Sequence, residues 1–348
     1  MRSRALCALL AGFALLAPGC ALHRWRGPVS DHFDGRHFRQ PEPFSIGFLD
    51  WLKHALTSRR GSWREFTDTP TGPPPPPRVS GNALRLTFVN HSTVLIQMDG
   101  VNILTDPNWS DRSVPDVGRR RRRPPGIRFE DLPPIDAVLI SHDHHDHMDL
   151  KTLRRLAGER HPAVFTGLGN SGFLARHGVP GGRDLDWWQT AAIAPGVTLT
   201  AVPSRHMSGR SFFDRNRTLW CGFVIEGPSG TVYFAGDTGY GAHFAAIAQR
   251  FPKLRLALLP IGGFLPLYYM RTHHMGPEDA LEALRVLHAG TMVPIHFGTF
   301  PAGDDDETEP VDLLRKALAG GAKHLAPRVV VLDNGQSLEV PSPGPPLT

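Results

Sequence analysis

A dense run of histidine and aspartate restricts this chain more than any other feature of its sequence. The run is His142-Asp143-His144-His145-Asp146-His147, and it follows an apolar strand predicted at residues 136–141. Histidine offers a neutral nitrogen and aspartate an anionic oxygen, and zinc accepts both as ligands. Because the run begins where a strand ends, its side chains are expected on one tight loop rather than along a helix. The fold must therefore present this loop at the edge of a sheet.

Short apolar runs separated by turn residues indicate a chain that is rich in strands, with helices inserted between the later ones. Strands are predicted at 84–89, 93–98, 101–105, 136–141, 197–202, 219–225, 232–235 and 255–260, with a turn at Asp99-Gly100. Helices are predicted at 150–158, 171–177, 241–250 and 277–288. This order favours an α/β fold in which two mixed sheets pack face to face with helices outside, a four-layer αββα sandwich.

Three segments of different composition follow one another along the chain. Residues 1–20 carry Arg2 and Arg4 before an apolar stretch that ends at Cys20, which predicts an export signal of lipoprotein type. Residues 21–82 are predicted to be a Pro-rich tether and wrap, and a short amphipathic helix at 46–54 within them is predicted to pack on the core, with contact to lipid as the alternative. Residues 83–342 are predicted to form the folded domain.

The leader also predicts where the protein resides. An acylated Cys20 would anchor the chain in the bacterial envelope, at the periplasmic face of the outer membrane, and ordinary signal cleavage nearby is the alternative. The formal charge of +5 suits an anionic partner such as a phospholipid surface. The arginine run at 119–123 is predicted to be an exposed loop, and the chain lacks the aromatic and basic interleaving expected for nucleic-acid binding.

Three further candidate ligands stand where later strands are predicted to end. His206 follows strand 197–202, Asp237 follows strand 232–235, and His296 follows an apolar run at 292–295. Together with the first run they complete two ligand sets, which can hold two divalent ions roughly 3.5 to 4 Å apart, and these ions are predicted to be Zn²⁺. The predicted sets are His142, His144 and His206 for the first ion, Asp146, His147 and His296 for the second, and Asp237 as the carboxylate that bridges them.

The combined pattern resembles the metallo-β-lactamase superfamily, and longer strings resemble its N-acylphosphatidylethanolamine-hydrolysing phospholipase D branch. These strings include Asn90-His91-Ser92-Thr93, Leu104-Thr105-Asp106-Pro107, Phe234-Ala235-Gly236-Asp237-Thr238-Gly239-Tyr240 and Ile295-His296-Phe297-Gly298-Thr299-Phe300. The resemblance covers residues 83–340. It implies the αββα fold, two zinc ions, and hydrolysis of a phosphodiester in a phospholipid, or in a smaller substrate, by a hydroxide that bridges the ions.

The resemblance and the residues suggest roles around the metals as well. Asp146 and Asp237 are catalytic candidates that would orient the nucleophile in addition to binding metal. His274 matches a substrate-contacting histidine of the family, and a helix-capping loop is the alternative. Arg205 is a candidate for attracting the phosphate, and Asp106 for accepting a hydrogen bond from a ligand histidine.

Other functions remain open for the same metal ligands, because one fold can carry many chemistries. A lactone or amide hydrolase is the first alternative. A metal-binding envelope protein with little turnover is the second. The sequence does not predict an oligomeric state.

Overall fold

Two mixed β-sheets form the centre of the protein, whose computed structural model describes residues 24–40, 42, 48–211 and 213–342. The strands are β1 (Leu84–Asn90), β2 (Thr93–Met98), β3 (Val101–Thr105), β4 (Ala137–Ile140), β5 (Ala163–Gly167), β6 (Gly182–Leu185), β7 (Thr190–Ala194), β8 (Val197–Val202), β9 (Gly222–Gly227), β10 (Gly230–Phe234), β11 (Leu254–Pro260), β12 (Thr291–Ile295) and β13 (Ser337–Glu339). The strand order is β13-β1-β2-β3-β4-β5-β6 in the first sheet and β12-β11-β10-β9-β8-β7 in the second.

Both sheets change from antiparallel to parallel pairing part-way across. In the first sheet β13, β1, β2 and β3 pair antiparallel, and β3 to β6 pair parallel. In the second sheet β7 to β10 pair antiparallel, and β10, β11 and β12 pair parallel. The carboxyl ends of parallel strands meet at one edge of a sheet, so the loops after β3, β4, β10, β11 and β12 are available to build one site.

The helices are α1 (Phe48–Thr57), α2 (Leu150–Glu159), α3 (Ser171–Arg176), α4 (His243–Arg250), α5 (Leu267–Met270), α6 (Pro277–Leu287) and α7 (Glu309–Ala319). All of them except α1 and α5, which contact each other, pack on the outer faces of the two sheets. Leu153 and Leu156 of α2 pack in one cluster with the outer face of the first sheet, and Phe244 of α4 and Leu284 of α6 pack in the cluster that includes the second sheet. The predicted four-layer αββα arrangement is confirmed.

Alternation of side chains along the strands separates the two hydrophobic clusters. In β1, Leu86 and Phe88 point into the cluster between the sheets, whereas Val89 belongs to the cluster beneath α2 and α3. Each fully buried side chain of this size contributes roughly 1.5 to 3 kcal/mol through removal of apolar surface from water. The predicted turn between β2 and β3 is present, with φ values of 49° at Asp99 and 77° at Gly100.

The segment before the sheets lies on the surface of the domain wherever the structure describes it. Phe33 and Phe38 are buried against Leu219 and Trp220. The carbonyl of Pro76 accepts a hydrogen bond from the side chain of Gln97, at 2.8 Å. Residues 1–23, including the predicted signal and Cys20, lie outside the described residues. Among the helices that are described, none has the length and apolar character needed to cross a bilayer.

Two sequence-based expectations were wrong. The helix predicted to pack on the core is α1, and its Leu49 and Leu56 are 76% and 77% exposed, so this face of the helix points to solvent. The arginine run is not simply an exposed loop, because Arg121 is buried while its neighbour Arg120 is exposed. A one-dimensional pattern identifies an amphipathic helix or a charged run, but it does not identify the surface that each one meets.

Candidate metal centre

Three imidazoles converge at the ends of β4 and β8. His142 and His144 lie on the loop after β4, and His206 lies on the loop after β8. His142 Nε2 is 2.9 Å from His144 Nδ1, and His206 Nε2 is 3.3 Å from the same Nδ1. All three candidate ligand atoms lie within 4.8 Å of one another. We call these three residues the first cluster. Their nitrogens face a common point, as ligands of one cation do.

A second cluster lies beside the first. It contains His91, Asp146, His147 and His296, whose candidate ligand atoms also lie within 4.8 Å of one another. The loops after β1, β4 and β12 supply these residues. The structure therefore brings together the residues that the sequence assigned to each ion, and it adds His91.

Asp237 stands between the two clusters, on the loop after β10. Its Oδ2 is 3.1 Å from His296 Nε2, 3.2 Å from His147 Nε2 and 3.9 Å from His206 Nε2. A single carboxylate oxygen thus approaches both clusters, which is the position predicted for the bridging ligand. Its Oδ1 is buried and has no hydrogen-bond partner among the described residues. An unpaired buried carboxylate oxygen is costly, and a divalent cation would satisfy it.

Hydrogen bonds orient the histidine rings so that their Nε2 atoms face the centre. Four histidines form a hydrogen bond through Nδ1 on the side away from the centre. The pairs are His142 with Ser141 Oγ, His147 with Asp106 Oδ2, His206 with the His273 carbonyl, and His296 with the Gly262 carbonyl. Because each Nδ1 is occupied, each Nε2 is left to bind a cation. His144 is the exception and presents its Nδ1 to the other two rings of the first cluster.

Asp106 supports the loop that carries the ligands. Its Oδ1 accepts a hydrogen bond from the Ser141 amide at 2.7 Å, and its Oδ2 accepts from Ser141 Oγ at 2.6 Å and from His147 Nδ1 at 2.7 Å. The carboxylate is fully enclosed by the protein. Asp106 therefore occupies the position predicted for it, as an outer partner of a ligand histidine.

Burial keeps most of the imidazoles neutral. It lowers the pKa of His144 to about 3 and the pKa of His206 and of His91 to about 4. Burial alone would raise the pKa of Asp237, but the neighbouring His147 and His296 hold it well below its usual value. Burial opposes protonation of His147 and His296, but the adjacent Asp237 raises the pKa of both rings, so these two would release a proton on binding a cation. The site therefore combines imidazole nitrogens with an ionised carboxylate, and this donor set suits zinc and similar divalent ions.

The two predicted substrate-binding residues lie in different surroundings. His274 is buried beside the centre, and its Nδ1 is 4.0 Å from Asp237 Oδ2. The guanidinium of Arg205 instead donates to the carbonyl of Tyr240 at 2.8 Å and lies 3.3 Å from the Glu42 carboxylate. The structure thus places His274 beside Asp237, whereas the Arg205 guanidinium is paired with Tyr240 and Glu42. Substrate binding by either residue stays a prediction.

Sequence reasoning missed His91 as a candidate site residue. Its Nε2 lies 3.2 Å from Asp146 Oδ2, and its ring packs 4.1 Å from that of His296. The string Asn90-His91-Ser92-Thr93 at the end of β1 was noted only for its resemblance to a family. A histidine at a strand end, where four other strands also end in candidate ligands, was the signal that could have identified it.

Comparison with known proteins assigns the chain to a family. Residues 101–297 match the model of the beta-lactamase superfamily domain. The chain belongs to the metallo-β-lactamase superfamily. An uncharacterized Mycobacterium tuberculosis protein is 39% identical over 269 residues, covering 75% of this chain and 71% of the relative. The N-acyl-phosphatidylethanolamine-hydrolyzing phospholipase D 1 of Caenorhabditis elegans is 31% identical over 274 residues, covering 75% and 77%.

The chain is also similar to the solved structure of a metallo hydrolase. Igni18, a metallo hydrolase from Ignicoccus hospitalis, is 26% identical to this chain, with a TM-score of 0.55. The match covers 74% of this chain and 97% of that one. Together with the buried histidine and aspartate clusters, these similarities identify the protein as a metal-dependent hydrolase.

Proposed function

We propose that the protein is a binuclear zinc phosphodiesterase of phospholipase D type, which acts on phospholipids similar to N-acylphosphatidylethanolamine. The observation that carries this proposal is the position of Asp237 between two ligand clusters, with Oδ2 close to histidines of both. The similarity to the Caenorhabditis elegans enzyme supports the substrate class. Paired divalent ions activate water near neutral pH and stabilise charge on phosphoryl oxygens.

The residues of this chain have separate tasks in the proposed reaction. Histidines of the two clusters would hold the ions, with Asp146 in the second cluster and Asp237 between them. Asp146 and Asp237 would also orient the attacking water, in addition to binding the ions. His274, whose Nδ1 is 4.0 Å from Asp237 Oδ2, would contact the phosphate. Because most of these groups are buried and hydrogen bonds hold four of the rings, their orientation would be set before substrate arrives.

An exposed apolar surface near the centre supports a lipid substrate. It consists of Leu49, Leu52, Leu56, Leu267 and Tyr268, and we call it the apolar rim. Its two helices are in contact, since His54 of α1 stacks on Tyr269 of α5 with ring centroids 4.4 Å apart. The loop after α5 reaches the metal centre, where the His273 carbonyl accepts the hydrogen bond of His206. Lipid that touches the rim would therefore lie close to the ligands.

Basic residues beside the rim suit a phospholipid surface. Lys53 lies over the ring of Tyr268, with Nζ 4.2 Å from the centroid, and Arg59 and Arg60 follow α1 as exposed residues. Apolar side chains next to cationic ones are the combination expected of a helix that lies at a membrane interface.

Direct assay of hydrolysis tests the proposed function. The zinc-loaded protein in mixed micelles is expected to release N-acylethanolamine from N-acylphosphatidylethanolamine and to hydrolyse bis(p-nitrophenyl) phosphate. Hydrolysis of lactones without hydrolysis of either phosphodiester would instead favour a lactone or amide hydrolase. Binding of zinc without any turnover would favour a metal-binding envelope protein.

The apolar rim makes a separate prediction. Replacement of Leu49 and Leu56 together by serine is expected to lower hydrolysis of phospholipid in vesicles by about tenfold or more, since each leucine that enters lipid contributes on the order of 1 kcal/mol or more. Hydrolysis of bis(p-nitrophenyl) phosphate should not change. Val117→Ser, at another exposed apolar residue, is the control. Equal loss of both activities, or no loss in vesicles, would contradict this role of the rim.

We also propose that the protein is exported and anchored in the bacterial envelope through an acylated Cys20. The order of charged residues, apolar stretch and cysteine at residues 1–20 supports this location. The mass of the mature N-terminal peptide tests it, because an unmodified terminus elsewhere would remove the lipid anchor.

A further inference from the structure

The arginine run at 119–123 contains one member that differs from its neighbours. Arg120 is exposed, whereas Arg121 is only 3% exposed and lies within the protein. A buried guanidinium loses its hydration and is retained only where protein atoms replace the lost water. The partners of Arg121 should therefore show what this arginine does.

The hydrogen-bond partners of the Arg121 side chain all lie on one short loop after β3, and its guanidinium also lies over the Phe300 ring, 5.4 Å from the centroid. Arg121 Nε donates to the Ser110 carbonyl at 2.8 Å, and Nη2 donates to the same carbonyl at 2.7 Å. Nη2 also lies 3.0 Å from Asn108 Oδ1 and 3.2 Å from the Asn108 carbonyl. Because several donors of a rigid planar group bind this loop, Arg121 fixes both its backbone and the Asn108 side chain.

Asn108 passes this constraint to a candidate metal ligand. Its Oδ1 accepts hydrogen bonds from Arg121 and from the Ser110 amide, the latter at 3.1 Å. With the oxygen held in this way, the amide nitrogen faces the opposite direction, where Nδ2 donates to the Asp146 carbonyl at 2.9 Å. Arg121 thus sets the orientation of the amide that holds Asp146.

A second series of hydrogen bonds connects the arginine run to His91, which contacts Asp146. The Arg122 amide donates to the Thr299 carbonyl at 3.0 Å, and Thr299 Oγ1 accepts from the His91 amide at 2.9 Å. His91 in turn contacts Asp146, with Nε2 3.2 Å from Oδ2. Both routes therefore converge on the His91 and Asp146 pair of the second cluster.

We propose that Arg121 is a positioning residue for the second cluster, which acts through the Asn108 amide to hold Asp146 in place for its metal ion. The proposal rests on the binuclear centre of the proposed function. Because the hydrogen bonds of the Arg121 side chain go to residues 108 and 110, the effect should be confined to the second cluster. The first cluster shares the loop after β4 with Asp146, but its ring hydrogen bonds go to Ser141 and to the His273 carbonyl instead of residue 108, so it should bind its ion unchanged.

Zinc titration of the full-length metal-free protein by calorimetry tests this role without any substrate. The wild-type protein is expected to bind two equivalents of zinc, and His296→Ala identifies the equivalent that belongs to the second cluster. In Arg121→Lys and in Asn108→Ala, that equivalent should bind about 10- to 100-fold more weakly, and the other should keep its affinity. Lysine at position 121 should not restore the zinc affinity of the second cluster, because one ammonium group cannot bind Asn108 and Ser110 with the geometry of a planar guanidinium.

Two comparisons separate positioning from a general loss of structure. Arg120→Lys, the same change at the exposed neighbour, should leave both affinities as in the wild type. The double variant Arg121→Lys with Asn108→Ala should bind zinc at the second cluster no more weakly than Asn108→Ala alone, since both changes interrupt the same series of hydrogen bonds. If Arg121→Lys does not fold, Asn108→Ala decides the question by itself.

Three results would overturn the proposal. They are unchanged affinity for both equivalents in the two variants, equal weakening of both equivalents, and a wild-type protein that binds only one ion. Failure of the wild-type protein to hydrolyse phosphodiesters would defeat the proposed function but would leave these binding results to be judged on their own.

Discussion

Asp237→Asn is expected to lower hydrolysis by the zinc-loaded protein by about 1,000-fold or more, because it removes the charge shared by the two clusters. The carboxylate approaches His147 and His296 of one cluster and His206 of the other through a single oxygen. The neutral amide of asparagine has nearly the same shape but presents one oxygen instead of two. The loss should appear mainly in kcat, with bis(p-nitrophenyl) phosphate as substrate, because this substrate does not depend on the apolar rim.

A surface carboxylate provides the matched control for this substitution. Asp312→Asn makes the same chemical change at an exposed position on α7 and should leave kcat unchanged. Zinc content, measured on the same samples, shows whether Asp237→Asn loses an ion or retains both in a less active arrangement. Asp237→Asn that keeps two zinc ions and activity within tenfold of the wild type would show that Asp237 is not the bridging ligand.

Removal of metal by a chelator is expected to lower the midpoint of thermal unfolding by on the order of 10 °C. A ligand present at about 1,000 times its dissociation constant stabilises the native state by roughly 4 kcal/mol, and each kcal/mol corresponds to a few degrees in a domain of this size. Without cations, the buried Oδ1 of Asp237 is left without a partner among the described residues. Scanning calorimetry with and without EDTA measures the shift.

Addition of zinc should restore the original midpoint, and addition of magnesium should not, because nitrogen-rich clusters favour zinc. The His144→Ala variant provides a further control, since it removes a ligand of the first cluster and should respond less to the chelator. An unchanged midpoint after complete removal of metal would mean that the clusters do not depend on cations for their stability.

The elements predicted correctly are those with a strong periodic signal and complete burial. Strands β1 to β4 are nearly continuous apolar runs, and the turn between β2 and β3 is marked by Asp99-Gly100. Most of the strands that were not predicted lie at sheet edges or are partly exposed, and the exception is β5, a short and mostly buried apolar strand between β4 and β6. β6 has the sequence GRDL, β7 is half exposed and β13 has three residues, so their pairing depends on neighbours supplied by distant parts of the chain.

The candidate site was predicted to a greater extent than the fold because its ligands follow strands in the sequence itself. His142, His144, Asp146 and His147 share one loop, and this local density needs no knowledge of tertiary structure. His91 and Arg121 carry no comparable local signal. A single histidine after a strand and one arginine among five acquire meaning only when folding brings them behind Asp146.

The pairing of β13 with β1 in the first sheet joins residues that are far apart along the chain. β13 covers the outer edge of β1, and Thr87 and Ser337, which pair across it, are 250 residues apart. Until a segment so distant has been synthesised and has folded back, β1 presents a row of free amide and carbonyl groups that another molecule can match. Self-association of nascent or partly unfolded molecules should therefore begin at this border, although β13 contributes no residue to either ligand cluster.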